Sequence, residues 1–210
     1  VNAINLSDGL DGLAGGNVAL GLLVILLASV SHGATEVAVG WIAATALGAV
    51  LGFLVHNRHP ARVFMGDAGS YFLGFLLTGL LLLVHPVRER VAVINFSIPL
   101  MVLALPLFDM ALAIVRRAIR GQPIAAPDCD HIHHRMLARG LSHARVVVLL
   151  WLSTALFAGL AYLNVIGVGG WWTLTGAVVA MLVVAAVLGY HELLRRLPAF
   201  TGDRLLGLRD

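Results

Sequence analysis

The sequence predicts an all-α, polytopic transmembrane helix bundle with about six spanning helices. Three observations carry that prediction. Sixty per cent of the 210 residues are apolar and 12% are charged, against about 45–50% and about 25% in an ordinary soluble domain, and the mean hydropathy is +0.93. Six runs approach the ~20 residues that cross a hydrocarbon core, near 10–30, 36–55, 68–84, 91–115, 145–163 and 172–190. The runs are continuous rather than alternating, which selects helices over the strands of a barrel.

The first span is preceded by Asn-Ala-Ile-Asn-Leu-Ser-Asp-Gly-Leu-Asp-Gly-Leu-Ala-Gly-Gly at 2–16, two carboxylates and two carboxamides set against the apolar run. Acids at a membrane boundary point to function. On a helix, Asp8 and Asp11 would share a face with Asn5 one turn below, an oxygen-rich surface for a hard cation or a nucleotide. One capping acid beside a solvated one would explain neither Asn5 nor the glycines. Gly12 with Gly16 in this span, and Gly48 with Gly52 in the second, are small-residue pairs that let helices approach closely.

The second span ends in the loop 56–67, His56-Asn57-Arg58-His59-Pro60-Ala61-Arg62-Val63-Phe64-Met65-Gly66-Asp67, running on into Ala68-Gly69-Ser70. Asp67 stands where the third span begins, either as an N-cap or as a carboxylate holding a metal that bridges phosphate at the helix start. Arg58 and Arg62 either pair with phosphates or follow the positive-inside rule. Pro99 and Pro106 are expected to kink or break the fourth span. Asp109, near the end of that span, either faces the cleft or pairs with Arg116 or Arg117.

The loop 116–145 carries Asp128-Cys129-Asp130-His131-Ile132-His133-His134-Arg135. Three histidines in four residues, flanked by acids and arginines, suit phosphate binding, proton transfer or zinc. Zinc is the weakest of these, because Cys129 is the single cysteine and no second ligand group stands at a finger spacing. The fifth span and then the sixth, opened by Trp171 and Trp172 as an interfacial belt, complete a transmembrane domain over 1–190. Asn95 and Asn164 are expected to satisfy helix backbones or to lie at the outer interface. Residues 191–210 read as an amphipathic cytoplasmic tail.

All 14 basic residues are arginine, and the pI of 9.7 suits anionic headgroups or phosphorylated substrates rather than nucleic acid. With residues 1–9 cytoplasmic, twelve arginines fall inside and only Arg88 and Arg90 outside, a strong positive-inside bias. Every polar motif then shares the cytoplasmic face of the cell membrane. A transporter or flippase of a phosphorylated lipid or nucleotide is the alternative, but it calls for polar residues near the midplane, and the spans hold almost none.

Asn5-(x)2-Asp8-Gly9-(x)-Asp11-Gly12, Phe64-Met65-Gly66-Asp67-Ala68-Gly69-Ser70 and His131-Ile132-His133-His134 together resemble the polyprenyl-phosphate N-acetylhexosamine-1-phosphate transferases, the glycosyltransferase family 4 membrane enzymes. The His-x-His-His form looks like the branch that uses UDP-N-acetylglucosamine. The resemblance implies transfer of the sugar-1-phosphate from a UDP-N-acetylhexosamine to undecaprenyl or another polyprenyl phosphate, with release of UMP. It implies Mg2+, with Mn2+ as a substitute, held by Asp67 with help from Asn5. Asp8 matches a further active-site carboxylate, and Asp11 an acid at the nucleotide base. Asn57 and Phe64 match positions beside the uracil, and the loop of His131, His133 and His134 one that engages phosphates or sugar. Arg62 and Arg135 are candidate substrate contacts. Membrane lipids and a second copy of the chain, as a homodimer, complete the expected partners. The family also carries an Asp-Asp pair in an earlier cytoplasmic loop, absent from these 210 residues, so the chain reads as the C-terminal part of a longer protein.

Overall fold

The computed structural model describes residues 1–32, 37–83, 92–119, 121–123 and 131–187. The expected tail at 191–210, Asp128, Cys129, Asp130, Arg88, Arg90 and the side chain of Asn95 lie outside them. The described residues form helices and no strands: α1 Asn2–Ser7, α2 Leu13–His32, α3 Val37–Asn57, α4 Gly66–Leu83, α5 Ala92–Val102, α6 Ala104–Ile119, α7 Ile132–Ala138, α8 His143–Val165 and α9 Trp171–Val187. Four of them, α2, α3, α4 and α8, are long and apolar enough to cross a membrane unbroken.

The other two expected spans take different forms. The run at 91–115 is two helices, bent by 79° between Phe96–Val102 and Ala104–Ala118. In a continuous helix Pro106 would leave the Val102 carbonyl without its donor and press its ring against it; as the third residue of α6, it occupies a first turn where no donor is needed. Leu103 donates to Pro99 O at 3.0 Å and accepts from Leu107 N at 2.9 Å, closing the backbone on both sides of the corner. The sixth run appears as α9, whose 17 residues reach about 26 Å at 1.5 Å each.

Helix α2 is the axis of the bundle. Of its apolar window 72% is buried, against 17% for α3. Val18, Leu22 and Ile25 of α2 meet Leu77 and Leu81 of α4, Ile98 and Val102 of α5, and Ala158, Ala161 and Val165 of α8 in one core. Helix α3 is apolar all round and packs beside α2 while leaving Trp41, Ile42, Leu51 and Val55 exposed, the pattern of a helix bathed in lipid. At the end where α2 begins, a second cluster of Leu13, Leu105, Ile132, Met136, Val146, Val147 and Leu150 holds α7 against α2, α6 and α8.

Close approach is served by one of the two expected glycine pairs. A Cβ on Gly16 would run into the Trp151 indole, which reaches back to donate a long 3.4 Å bond to Leu13 O. Around Gly48 and Gly52 there is nothing within 4 Å of such a Cβ, because α3 turns that face outward. A polar pair joins two helices inside the bundle: Thr154 Oγ1 donates to Asn17 Oδ1 at 2.9 Å between α8 and α2. Asn164, expected to serve backbone or the interface, is instead buried and accepts from Thr173 Oγ1 at 2.9 Å.

Gly16→Ala should therefore cost about 1–3 kcal/mol by overpacking a fixed ring, while Gly48→Ala should stay within about 0.5 kcal/mol. Thermal unfolding of the two variants in one detergent checks this; equal midpoints would mean that the Gly16–Trp151 contact does not hold α2 to α8.

Candidate active site

The acids of 2–12 do not lie on one helical face. Helix α1 ends at Ser7, Asp8 is its C-cap with φ −81 and ψ 36, and the chain turns through residues 8–12 before α2 starts. Gly12, at φ +81, takes a left-handed conformation that β-carbon residues resist. The turn therefore separates Asn5 from Asp11, and each of these two finds a partner far along the chain.

Asn5 faces the start of α4. Its Nδ2 donates to Asp67 Oδ1 and to Ser70 Oγ, both at 2.9 Å, and Ser70 Oγ donates to Asp67 O at 3.1 Å. Asp67 sits in the first turn of α4, whose opening Gly66 has φ +66, and its carboxylate is exposed. Asp8 stands nearby: burial first, then the charges of Asp67 and Asp11, push its carboxyl up to about 6. A divalent cation would relieve the crowding of negative charge on Asp8, and carboxylate with carboxamide is the oxygen set that a hard ion takes. As placed, Asn5 orients Asp67 through its amide nitrogen; to ligate an ion itself it would turn its oxygen instead.

Asp11 faces the α3–α4 loop. Its Oδ2 meets His59 Nδ1 at 2.8 Å and accepts from Ala61 N at 3.1 Å. Burial works against its charge, but the bonds to His59 and Ala61 outweigh it and hold the carboxyl below its ordinary value. His143, the first residue of α8, stacks on His59 with ring centres 4.1 Å apart. Buried Asn57 ties the two segments together, accepting from Gly12 N at 2.9 Å and donating to Val63 O at 2.8 Å. Arg62 is exposed, and Phe64 is 74% exposed.

The three motif histidines occupy different environments. His131 is buried, and its Nδ1 lies 3.0 Å from Asp109 Oδ2, while Asp109 Oδ1 accepts from Ile132 N at 3.0 Å. Asp109 thus anchors the start of α7 and sets the His131 ring, in place of the expected choice between cleft and arginine. His133 is buried with Nε2 against Gly9, where a Cβ would collide with the ring. Burial, the neighbouring His134 and His131 lower its pKa to about 4 despite the Asp109 charge, so it is neutral at pH 7. A cavity of about 20 Å³ between Ser7, Asn17, Asp109 and His133 is the size of one water. His134 is exposed and Arg135 half-buried, so His134 is the member of the motif open to a ligand.

Sequence reading left Ser70, His59 and His143 without roles and Asp109 undecided. Ser70 and His59 stood inside a motif already quoted, but His143 opens a span, and no local spacing relates it to Asp11.

Residues 1–85 match glycosyl transferase family 4. The chain is 44% identical over 157 residues to a probable undecaprenyl-phosphate N-acetylglucosaminyl 1-phosphate transferase of Bacillus subtilis, covering 75% of this chain and 43% of that protein. It is 38% identical over 173 residues to a decaprenyl-phosphate N-acetylglucosaminephosphotransferase of Mycobacterium tuberculosis, covering 75% and 43%. With an undecaprenyl-phosphate alpha-N-acetylglucosaminyl 1-phosphate transferase of Escherichia coli it shares 33% over 172 residues, covering 78% and 44%. The chain thus spans less than half the length of these relatives.

A histidine that is neutral in the fold but ordinary when unfolded makes stability rise with pH between about 4 and 6.5, since only the unfolded chain binds the proton there. His133 should cost the fold on the order of 3 kcal/mol as pH falls through that range. Asp8, with its raised value, works in the opposite sense, so the test is a comparison. Thermal unfolding of the parent should fall more steeply from pH 6.5 to 4.5 than that of His133→Asn; parallel slopes would contradict a buried neutral His133.

Proposed function

This chain belongs to glycosyl transferase family 4, and on that premise we propose that it forms the catalytic face of a membrane phosphotransferase that moves N-acetylglucosamine-1-phosphate from a UDP-sugar to undecaprenyl or another polyprenyl phosphate, releasing UMP. One observation carries the reading: three motifs separated by up to about 130 residues meet at the end of the bundle where α2 begins, through Asn5–Asp67, Asn57–Gly12 and His133–Gly9. The relatives' names describe transferases acting on polyprenyl phosphates, which favours this over a transporter.

Asp67 and Asp8, with Asn5 as orienting or ligating amide, would hold Mg2+ or Mn2+. When bound, the ion neutralises charge on the diphosphate. The residues of the chain divide the rest. A phosphate oxygen of the lipid attacks the sugar-linked phosphorus, the bond from that phosphorus to the bridging oxygen breaks, and UMP leaves with the electron pair. His134, exposed beside neutral His133, would be the donor to phosphate or sugar oxygens, with Arg135 adjoining it. Asp11 offers hydrogen bonds to the base, Asn57 acts from behind by holding the backbone at Gly12 and Val63, Phe64 offers an exposed ring to cover the base, and Arg62 a charge for phosphate. The arginine asymmetry favours the cytoplasmic side for this face.

In the intact protein, UMP release should require the UDP-sugar, polyprenyl phosphate and Mg2+ together. Asp67→Asn should lower kcat by ~10^3 or more, whereas Asp11→Asn should chiefly raise KM for the UDP-sugar. Near-normal turnover of Asp67→Asn across a Mg2+ titration would remove Asp67 as the metal ligand. For topology, cysteines placed at Arg58, Arg139 and Arg204 in a Cys129→Ser background should resist an impermeant thiol reagent on intact cells, and one at Glu89 should react. Labelling of the first three from outside would reverse the orientation.

A further inference from the structure

We propose that Asp11, His59 and His143 form a second metal site, suited to a zinc-class ion and separate from the oxygen-rich group of Asn5, Asp8 and Asp67. One ligand atom from each lies within 4.8 Å of the other two. They arrive from three segments: the α1–α2 turn, the α3–α4 loop and the first turn of α8. The Asp11–His59 hydrogen bond accounts for two of these residues, but not for His143, whose ring is laid on His59 at 4.1 Å with 21° between planes.

Donor chemistry separates the two groups. Two imidazoles with one carboxylate match zinc, cobalt or nickel, whereas Mg2+ keeps to oxygen. Three protein ligands leave a coordination position for water or a ligand atom. The His59 and Asp11 side chains are 53% and 23% exposed, so an ion has access. The Asp11 oxygen is already held by Ala61 N–H, and Asn57 fixes the neighbouring backbone at Gly12 and Val63, the outer support that orients metal ligands. Tetrahedral binding at bond lengths of about 2.0–2.1 Å spaces ligand atoms about 3.3 Å apart. The 2.8 Å His59–Asp11 contact would open slightly and His143 would turn inward. Resting on the reading of Asp11 as the acid at the nucleotide base, the ion and UDP would exclude each other, making zinc an inhibitor through the donor-sugar end of the site.

The purified chain in detergent, dialysed against micromolar free Zn2+ in excess Mg2+, should retain one equivalent by metal analysis. Cobalt in its place should give the visible absorption bands of four- or five-coordinate Co2+. His59→Ala and His143→Ala should each weaken retention at least tenfold, with His56→Ala unchanged. His143→Asn and the thermal midpoint of each variant separate loss of a ligand from loss of fold. No retained Zn2+, or retention unaffected in a folded His143 variant, overturns the site. Excess UDP should weaken Zn2+ binding at least tenfold. UDP that binds yet leaves Zn2+ affinity unchanged overturns the exclusion, whereas UDP that does not bind at all fails the nucleotide reading and leaves the metal site standing.

Discussion

A hydrocarbon solvent offers no hydrogen bonds, and the arrangement of this chain depends on that constraint. Backbone groups must be closed within helices, and side chains able to do chemistry are driven to helix ends, turns and buried pairs. The spans accordingly carry neutral pairs such as Asn17–Thr154, while the carboxylates and histidines of the candidate site collect in the turn after α1, the α3–α4 loop, the first turns of α4 and α8, and α7 with its N-cap. Arg116 is buried in the last turn of α6, and so, earlier in that helix, is Asp109. Asp109 is matched at once by the His131 ring and the Ile132 N–H, as a buried charge requires.

Segments gathered at one end of a bundle are not yet a site. Here the registration comes from polar ties between elements that local interactions cannot align. Asn57 uses both ends of its amide, one on the α1–α2 turn and one on its own loop. Asp109 uses both oxygens on the start of α7, and glycine at position 9 lets His133 approach the backbone. The Asn57–Gly12 and Asp109 bonds are buried, so their loss would leave unpaired groups out of reach of water.

The result is a face with two kinds of donor a few residues apart in sequence. Asn5, Asp8 and Asp67 offer hard oxygen, and burial together with the charges of Asp67 and Asp11 raises Asp8. Asp11 is instead stabilised as an anion by His59 and Ala61. Carboxylates three residues apart thus have opposite tendencies, the condition under which neighbouring acids take different tasks.

The apolar runs, the proline break and the chemical character of the three motifs were legible in the sequence, because each is local: run length determines whether a helix can span, and a proline acts on the carbonyl four residues back. Even the disjunction at Pro106 was visible, though not that it makes a 79° corner. Pairings were not legible. The periodicity that would place Asp8 and Asp11 on one helical face assumes a helix that stops at Ser7, and the histidine motif reads as three equivalent ligands until packing buries two and leaves His134 outside. That Asp11 meets His59 and His143, that Asn5 meets Asp67, and that Asp109 holds His131 follow from contacts across dozens of residues. Sequence carries the identity of such groups, but only the packed bundle brings them within bonding distance.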